Sequence, residues 1–384
     1  MRELVEWYRD FLRAQYAAPV SRGQGFLLGT PLWGRSYIDN FAKYCLPSLC
    51  EPKNLEALRG SRMVIFTKES DQNEIISMLH PLGAYGISVE VYPIPMTVVW
   101  FVNSSKWNNF LLLGTAQSLC VAMAGRSGHG FHLFAPDHVF CEGYFAHLKR
   151  IAEDHDAVMQ MSVSVSIETA AAALEEYRKD DGELVIPDRA LGTIGLNHLH
   201  PQMQNLLMNT CHIPDDLPSA HYLLFKMRDR LRIHTCHHNV AWASPAVCQR
   251  FRPRSLTEIT SPMDTRLPLL FHGTSPYVVG VDDGMSFVEL SDATKEKGER
   301  CDALHFAADC WRRVGYGDSY RPYFLQACEV PIDEQPDGFT AEQVDEQMAQ
   351  IVDILDTNKE RAGVLTLQAM YQGRLSFPLQ ALRA

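Results

Sequence analysis

Short apolar runs alternate with helical stretches along the first 165 residues. Gly25-Phe26-Leu27-Leu28-Gly29-Thr30-Pro31 is an apolar run closed by turn residues, Arg62-Met63-Val64-Ile65-Phe66-Thr67 repeats the pattern, and residues 87–92 and 131–135 supply two more. Runs of this length bounded by polar and turn residues predict strands buried on both faces. Between them, residues 36–50, 71–82 and 109–124 predict helices, the last rich in Leu, Ala and Met and broken by the glycines of 125–130. Strand alternating with helix predicts an α/β chain with a mostly parallel, Rossmann-like sheet covered by helices on both faces.

The flanking regions follow other rhythms. At the N-terminus Leu4, Trp7, Tyr8, Phe11 and Leu12 form one helical stripe, which predicts a helix over residues 1–22 that docks on the protein or meets a membrane surface or partner. Residues 161–167 predict a strand and 168–179 a helix, and the remainder of 166–330 reads as a mixed α/β portion. Beyond it, 331–384 predicts a helical tail in which Val344, Met348, Ile351, Val352 and Leu355 share one face, for packing or for contact with a second copy.

Composition narrows the classes. A length of 384 residues with 46% apolar and 21% charged content allows a full-sized core. The net charge of −11 and the lack of a basic run argue against a nucleic-acid partner. Ten cysteines scattered from Cys45 to Cys328 suit free thiols in a reducing cytosol, and no stretch is long and apolar enough to span a bilayer, so a cytoplasmic location is expected.

Ligands of parallel sheets sit at the carboxyl ends of the strands, which directs attention to 30–34, 67–71 and 136–138. Gly29-Thr30-Pro31-Leu32-Trp33-Gly34 follows the first strand, and Phe131-His132-Leu133-Phe134-Ala135-Pro136-Asp137-His138 forms the fourth strand with its exit. In this order of strand, helix and loop, residues 25–165 resemble bacterial GT-A-fold glycosyltransferases. That resemblance implies a nucleotide-sugar donor, with Thr30, Pro31 and Trp33 around the nucleoside, Asp71 at the base and Asp137 at the ribose or at a divalent cation, Mn²⁺ or Mg²⁺. It further implies transfer of the sugar to a glycan, lipid-linked or protein acceptor. Asp137-His138 carries one carboxylate where the family has two, so either His138 stands as the second metal ligand or basic side chains take the place of the metal. Arg126, in the glycine-rich connection, is a candidate phosphate contact, and Asp264 and Glu142 are candidate bases for the acceptor hydroxyl.

A second concentration of chemistry lies further along, where His198, His200, Cys211, His212, His221, His234, Cys236, His237 and His238 crowd one segment without the spacing of an established zinc site. By analogy with the resembled family, His237 or His238 completes the metal or diphosphate site, a role open also to His200. Two other readings stand beside the transferase: a metal-dependent hydrolase centred on this segment, and a nucleotide-binding protein that keeps the sheet without catalysis.

Overall fold

The computed structural model describes residues 2–17, 25–104, 106–208, 210, 212–218, 222–235, 239–253, 255–260, 263, 270–271, 274, 276–293, 300–314 and 321–359. The chain forms two units, each discontinuous in sequence. One comprises Met1–Gln160, Tyr177–Ile186 and Asn239–Tyr277, and the other Met161–Glu176, Pro187–His238 and Val278–Ala384. Both belong to an α/β protein, and the main sheet is mixed with mostly parallel strands.

In the first unit, β1 (Phe26–Pro31), β2 (Arg62–Thr67), β3 (Ser88–Pro93) and β4 (Gly130–Leu133) run parallel. β1 lies between β2 and β4, and β3 lies outside β2. Beyond β4 the sheet adds Asn239–Ala243, antiparallel to β4, then Ala157–Gln160 and the short outer strand Tyr277–Val278. Every residue of β1 is buried, as a central strand covered on both faces requires. β3 is only half-buried, and its Glu90 takes a two-pronged ion pair from Arg62 of β2 at 2.7 and 3.0 Å.

The helix Lys106–Ser127 crosses β1 at Gly29, where a Cβ would come within 2.1 Å of the Cys120 sulfur. A glycine is required there by the close approach, not by its backbone angles. This helix starts before and ends after the expected stretch, because Gly125 packs against the backbone of Cys248 within the helix and does not break it. A preceding helix, Met96–Asn103, was not expected at all; its run of Val and aromatic residues carries a poor helical signal. The expected helix 36–50 is continuous from Arg35 to Leu49 but passes through a π-helical turn at Phe41–Cys45. The N-terminal helix α1 (Arg2–Ala17) docks on the sheet: Trp7 and Phe11 meet Phe66 edge-on at 5.4 Å, and Phe11 meets Tyr92 at 4.8 Å.

In the second unit, Tyr222–Lys226 and Arg230–Thr235 form an antiparallel pair, flanked by Cys328–Pro331 and the two-residue strand Leu207–Met208. Glu329 sits between Arg230 and Arg232, each at 2.9 Å. The expected strand 161–167 is divided, with Val163–Ser166 in this unit pairing parallel to Phe287–Ser291. The helix Ala341–Thr357 opens on a capping box of Thr340 and Gln343 and buries Val344, Met348, Ile351 and Leu355 against Leu223, Phe225, Phe306 and Phe324. Packing, not projection, is the state of this helix, and Val352 is only half-buried. No helix among the described residues is long and apolar enough to cross a membrane.

Candidate functional site

The chain builds β1, β2 and β3 outward in one direction and then returns to lay β4 on the other side of β1. The loops leaving β1 and β4 therefore diverge, which opens a crevice above the carboxyl ends of the two strands. The ladder between them ends at Gly29↔Leu133, and beyond it come Thr30, Pro31 and Trp33 on one side and Ala135, Pro136 and Asp137 on the other.

On the β1 side, Leu32 N–H donates to Phe66 O at 2.8 Å, which holds the loop against β2. The Thr30 hydroxyl is buried and donates to Pro31 O at 3.3 Å, so it shapes the strand end. Trp33 is half-buried and lines a narrow crevice with Lys68, Ile94, Val99, Val102, Asn103 and Leu112. Lys68 directly follows β2 and lines the same crevice as Trp33. At the last position of β2, Thr67 has a fully buried hydroxyl without a hydrogen-bond partner among the described residues. Asp71 stands at the head of the helix Gln72–Leu79 and accepts from the Ser70 hydroxyl at 2.8 Å. Arg35 joins the two loops' helices by bonding Glu74 at 2.8 Å.

On the β4 side, Pro136 and Asp137 form a tight turn in which His138 N–H donates to Ala135 O at 3.3 Å. The π-helical turn packs against it: Phe41 meets Phe134 edge-on at 6.3 Å, and the Cys45 thiol donates to Ala135 O at 3.9 Å. Burial first, and the Asp137 carboxylate next, push the Cys45 thiol well above its ordinary value, so it stays protonated. Cys45 is no nucleophile here. All eight described cysteines are free, and the titration shifts of Cys50, Cys120, Cys248, Cys301 and Cys328 are likewise upward through burial.

His138 does not present itself beside Asp137. Its ring is buried among Phe134 and Phe140, and Nδ1 accepts from Ala135 N–H at 3.4 Å. Burial lowers its pKa to about 3, which leaves it neutral. His132, two strand positions before Phe134, is lowered to about 3 by burial and then by His138. A buried chain explains its tautomer. Tyr144 Oη donates to Gln160 Oε1 at 2.8 Å and stands 3.4 Å from His132 Nε2, so Nε2 carries the proton and Nδ1 keeps a lone pair with no described partner.

Of the other sequence-derived candidates, the structure describes Arg126 and Glu142. Arg126 lies near the amino end of β4, where its guanidinium donates to Gln15 O and to Tyr16 O and stacks over Tyr16. It fastens α1 rather than facing the strand ends. Glu142 pairs with Lys53 at 2.6 Å in the turn before the helix Tyr144–Ala152, and its N–H donates to Ile186 O at 2.8 Å. The neighbouring Glu51 is buried and accepts from the N–H groups of Lys53, Asn54 and Gly143, so this corner serves the architecture. Asp264, His237 and His238 lie outside the described residues, as do Cys211, His221 and Cys236.

The described histidines of the dense segment disperse. His200 caps the turn Pro201–Gln204, with Nδ1 accepting from Gln202 N–H at 3.2 Å and Nε2 donating to Asp292 O at 2.9 Å. His234 donates from Nδ1 to Phe324 O at 3.0 Å and is lowered by burial to about 4. His212 is exposed. Among the described residues no three His, Cys, Asp or Glu side chains converge on a point that could hold a metal ion. The His138 ring is directed into the core, away from a shared site with Asp137, and the other two expected ligands, His237 and His238, lie outside the described residues.

Lys68 carries no motif in the sequence, although its position directly after a buried strand was the available signal. No family model matches the sequence, and no curated protein matches it.

Proposed function

We propose that the first unit binds a nucleotide-sugar over the carboxyl ends of β1, β2 and β4 and that the protein transfers the sugar to an acceptor hydroxyl. One observation carries this reading: Trp33, Lys68 and Asp137 are set on the exits of three adjacent parallel strands, around the reversal between β1 and β4. Each side chain suits one part of the donor. The Trp33 indole offers an apolar face to the base, Lys68 a cation to the diphosphate, and Asp137 an acceptor to the ribose hydroxyls.

In the transfer, the bond between the sugar's anomeric carbon and the diphosphate oxygen breaks as the acceptor oxygen bonds to that carbon, and the acceptor's proton passes to the departing diphosphate. Negative charge builds on the departing diphosphate, and Lys68 is the described cation that would offset it. The unpartnered Thr67 hydroxyl adds a donor at the same strand end.

Thermal unfolding of the full chain with a panel of nucleoside diphosphates and nucleotide-sugars, with and without Mn²⁺, tests the reading. A ligand at about a hundred times its Kd should stabilise the protein by about 2.7 kcal/mol. Trp33→Ala and Lys68→Ala should abolish the shift, and donor hydrolysis should follow the same ligands. A response to none of the panel removes the proposal, whereas binding with neither hydrolysis nor transfer reduces it to a nucleotide-binding protein.

A further inference from the structure

The helical hairpin Met96–Asn103 and Lys106–Ser127 exposes large apolar side chains on its first helix and near the start of its second. Val98, Val99 and Val102 face inward, while Met96, Trp100 and Phe110 are 53%, 68% and 56% exposed. Met96 and Trp100 stand one helical turn apart, and Trp100 and Phe110 each lie within about two turns of the intervening loop, on opposite arms. Among the described residues, the exposed positions between them are Thr97, Asn103, Ser104 and Asn109, none of them charged.

Charge decides what such a surface fits. Between Glu90 and Asp137 the chain contains no Asp or Glu, although the whole protein carries −11. Helix burial accounts for the middle of that stretch but not for its exposed described positions. Two copies of so acidic a chain repel each other, and an acidic body is also repelled by anionic lipid. A neutral surface of Trp, Phe and Met bordered by amides and hydroxyls matches the interfacial zone of an uncharged bilayer, where an indole is apolar on its body and polar at its nitrogen.

We infer that the exposed face of this hairpin seats the protein on the surface of a zwitterionic lipid bilayer through Met96, Trp100 and Phe110. The buried side of the same hairpin, at Val99, Val102 and Leu112, lines the crevice with Trp33 and Lys68. Seating therefore holds the strand-end site at the membrane surface; on the transferase reading above, the acceptor is borne by a lipid.

Flotation of the full chain with phosphatidylcholine vesicles, without nucleotide, measures the seating separately from any turnover. Binding should persist at high salt and weaken when phosphatidylglycerol is added. The double variant Trp100→Ser, Phe110→Ser should lower the partition coefficient by about tenfold or more. Trp100→Phe should retain most of the binding, and unchanged thermal midpoints check that the variants fold. Absence of flotation, or equal flotation by the double variant, overturns the inference. A dimer in lipid-free buffer that the double variant disperses also overturns it, by assigning the surface to a second copy. Failure of nucleotide binding with intact flotation would remove the transferase and leave the membrane surface standing.

Discussion

The strand-end crevice in the first unit and the His-rich segment of the second unit are both rich in reactive residue types along the chain, and the fold treats their described residues in opposite ways. At the strand ends, Trp33, Lys68 and Asp137 come from three loops far apart in sequence and are gathered by one sheet edge. In the His-rich segment the described histidines are separated: His200 caps a turn, His234 enters a core among Phe225 and Phe324, and His212 lies at the surface. Parallel strands collect their exits on one side, whereas a segment that changes from helix to turn to strand gives successive side chains different directions. Local density of reactive residue types is therefore weaker evidence of a site than position at a strand exit.

The largest expected effect tests the scaffold of the crevice. Gly29→Ala forces a methyl into Cys120 and should cost about 3 kcal/mol in chemical denaturation. A cost near zero would show that the helix Lys106–Ser127 does not bear closely on β1.

Titration separates the regions next. His132 and His138 in the first unit and His234 in the second are held near 3, 3 and 4 by burial, below the unfolded value of about 6.5. Each is neutral when folded, and the unfolded chain takes up the proton first as pH falls. Stability from these groups is thus complete above about pH 6.5 and declines toward the folded values, by about 2 kcal/mol per histidine at pH 5. Denaturant unfolding from pH 7 to 5 should show this decline, and His132→Phe should remove about one proton from its slope. An unchanged slope would mean that His132 is not buried as a neutral ring.

A smaller effect is expected in the His-rich segment. His200→Ala should cost about 1 kcal/mol by removing a cap and should leave the metal content of the purified protein unchanged. Loss of stoichiometric zinc in that variant would restore the segment as a metal site and favour the hydrolase. The smallest effect concerns Glu142→Gln, which should leave the unfolding midpoint unchanged because an exposed partner, Lys53, holds the acid. Abolished transfer in a fully folded Glu142→Gln protein would instead return Glu142 to the site as the base.

Much of the first unit's sheet is legible in the sequence because its central strands are short apolar runs closed by turn residues. Thr30, Trp33 and Asp137 could be placed at strand exits for the same reason. Other features depend on pairing between distant segments, which periodicity does not encode. The antiparallel insertion of Asn239–Ala243 between β4 and Ala157–Gln160 is one, and the return of 177–186 and 239–277 to the first unit is another. Arg126 resembles a phosphate ligand in the sequence because its surroundings are glycine-rich, yet the helix runs through to Ser127 and turns it toward α1. His138 resembles a ligand because it adjoins Asp137, but past the turn at Pro136 its ring enters the core beside Phe134 and Phe140.

The most direct test of the strand-end account is a crystal soaked with uridine or guanosine diphosphate. The account predicts a base against Trp33, a diphosphate at Lys68 and a ribose at Asp137. A nucleotide bound well away from the exits of β1, β2 and β4, or saturating binding that Asp137→Ala and Lys68→Ala leave intact, would contradict it.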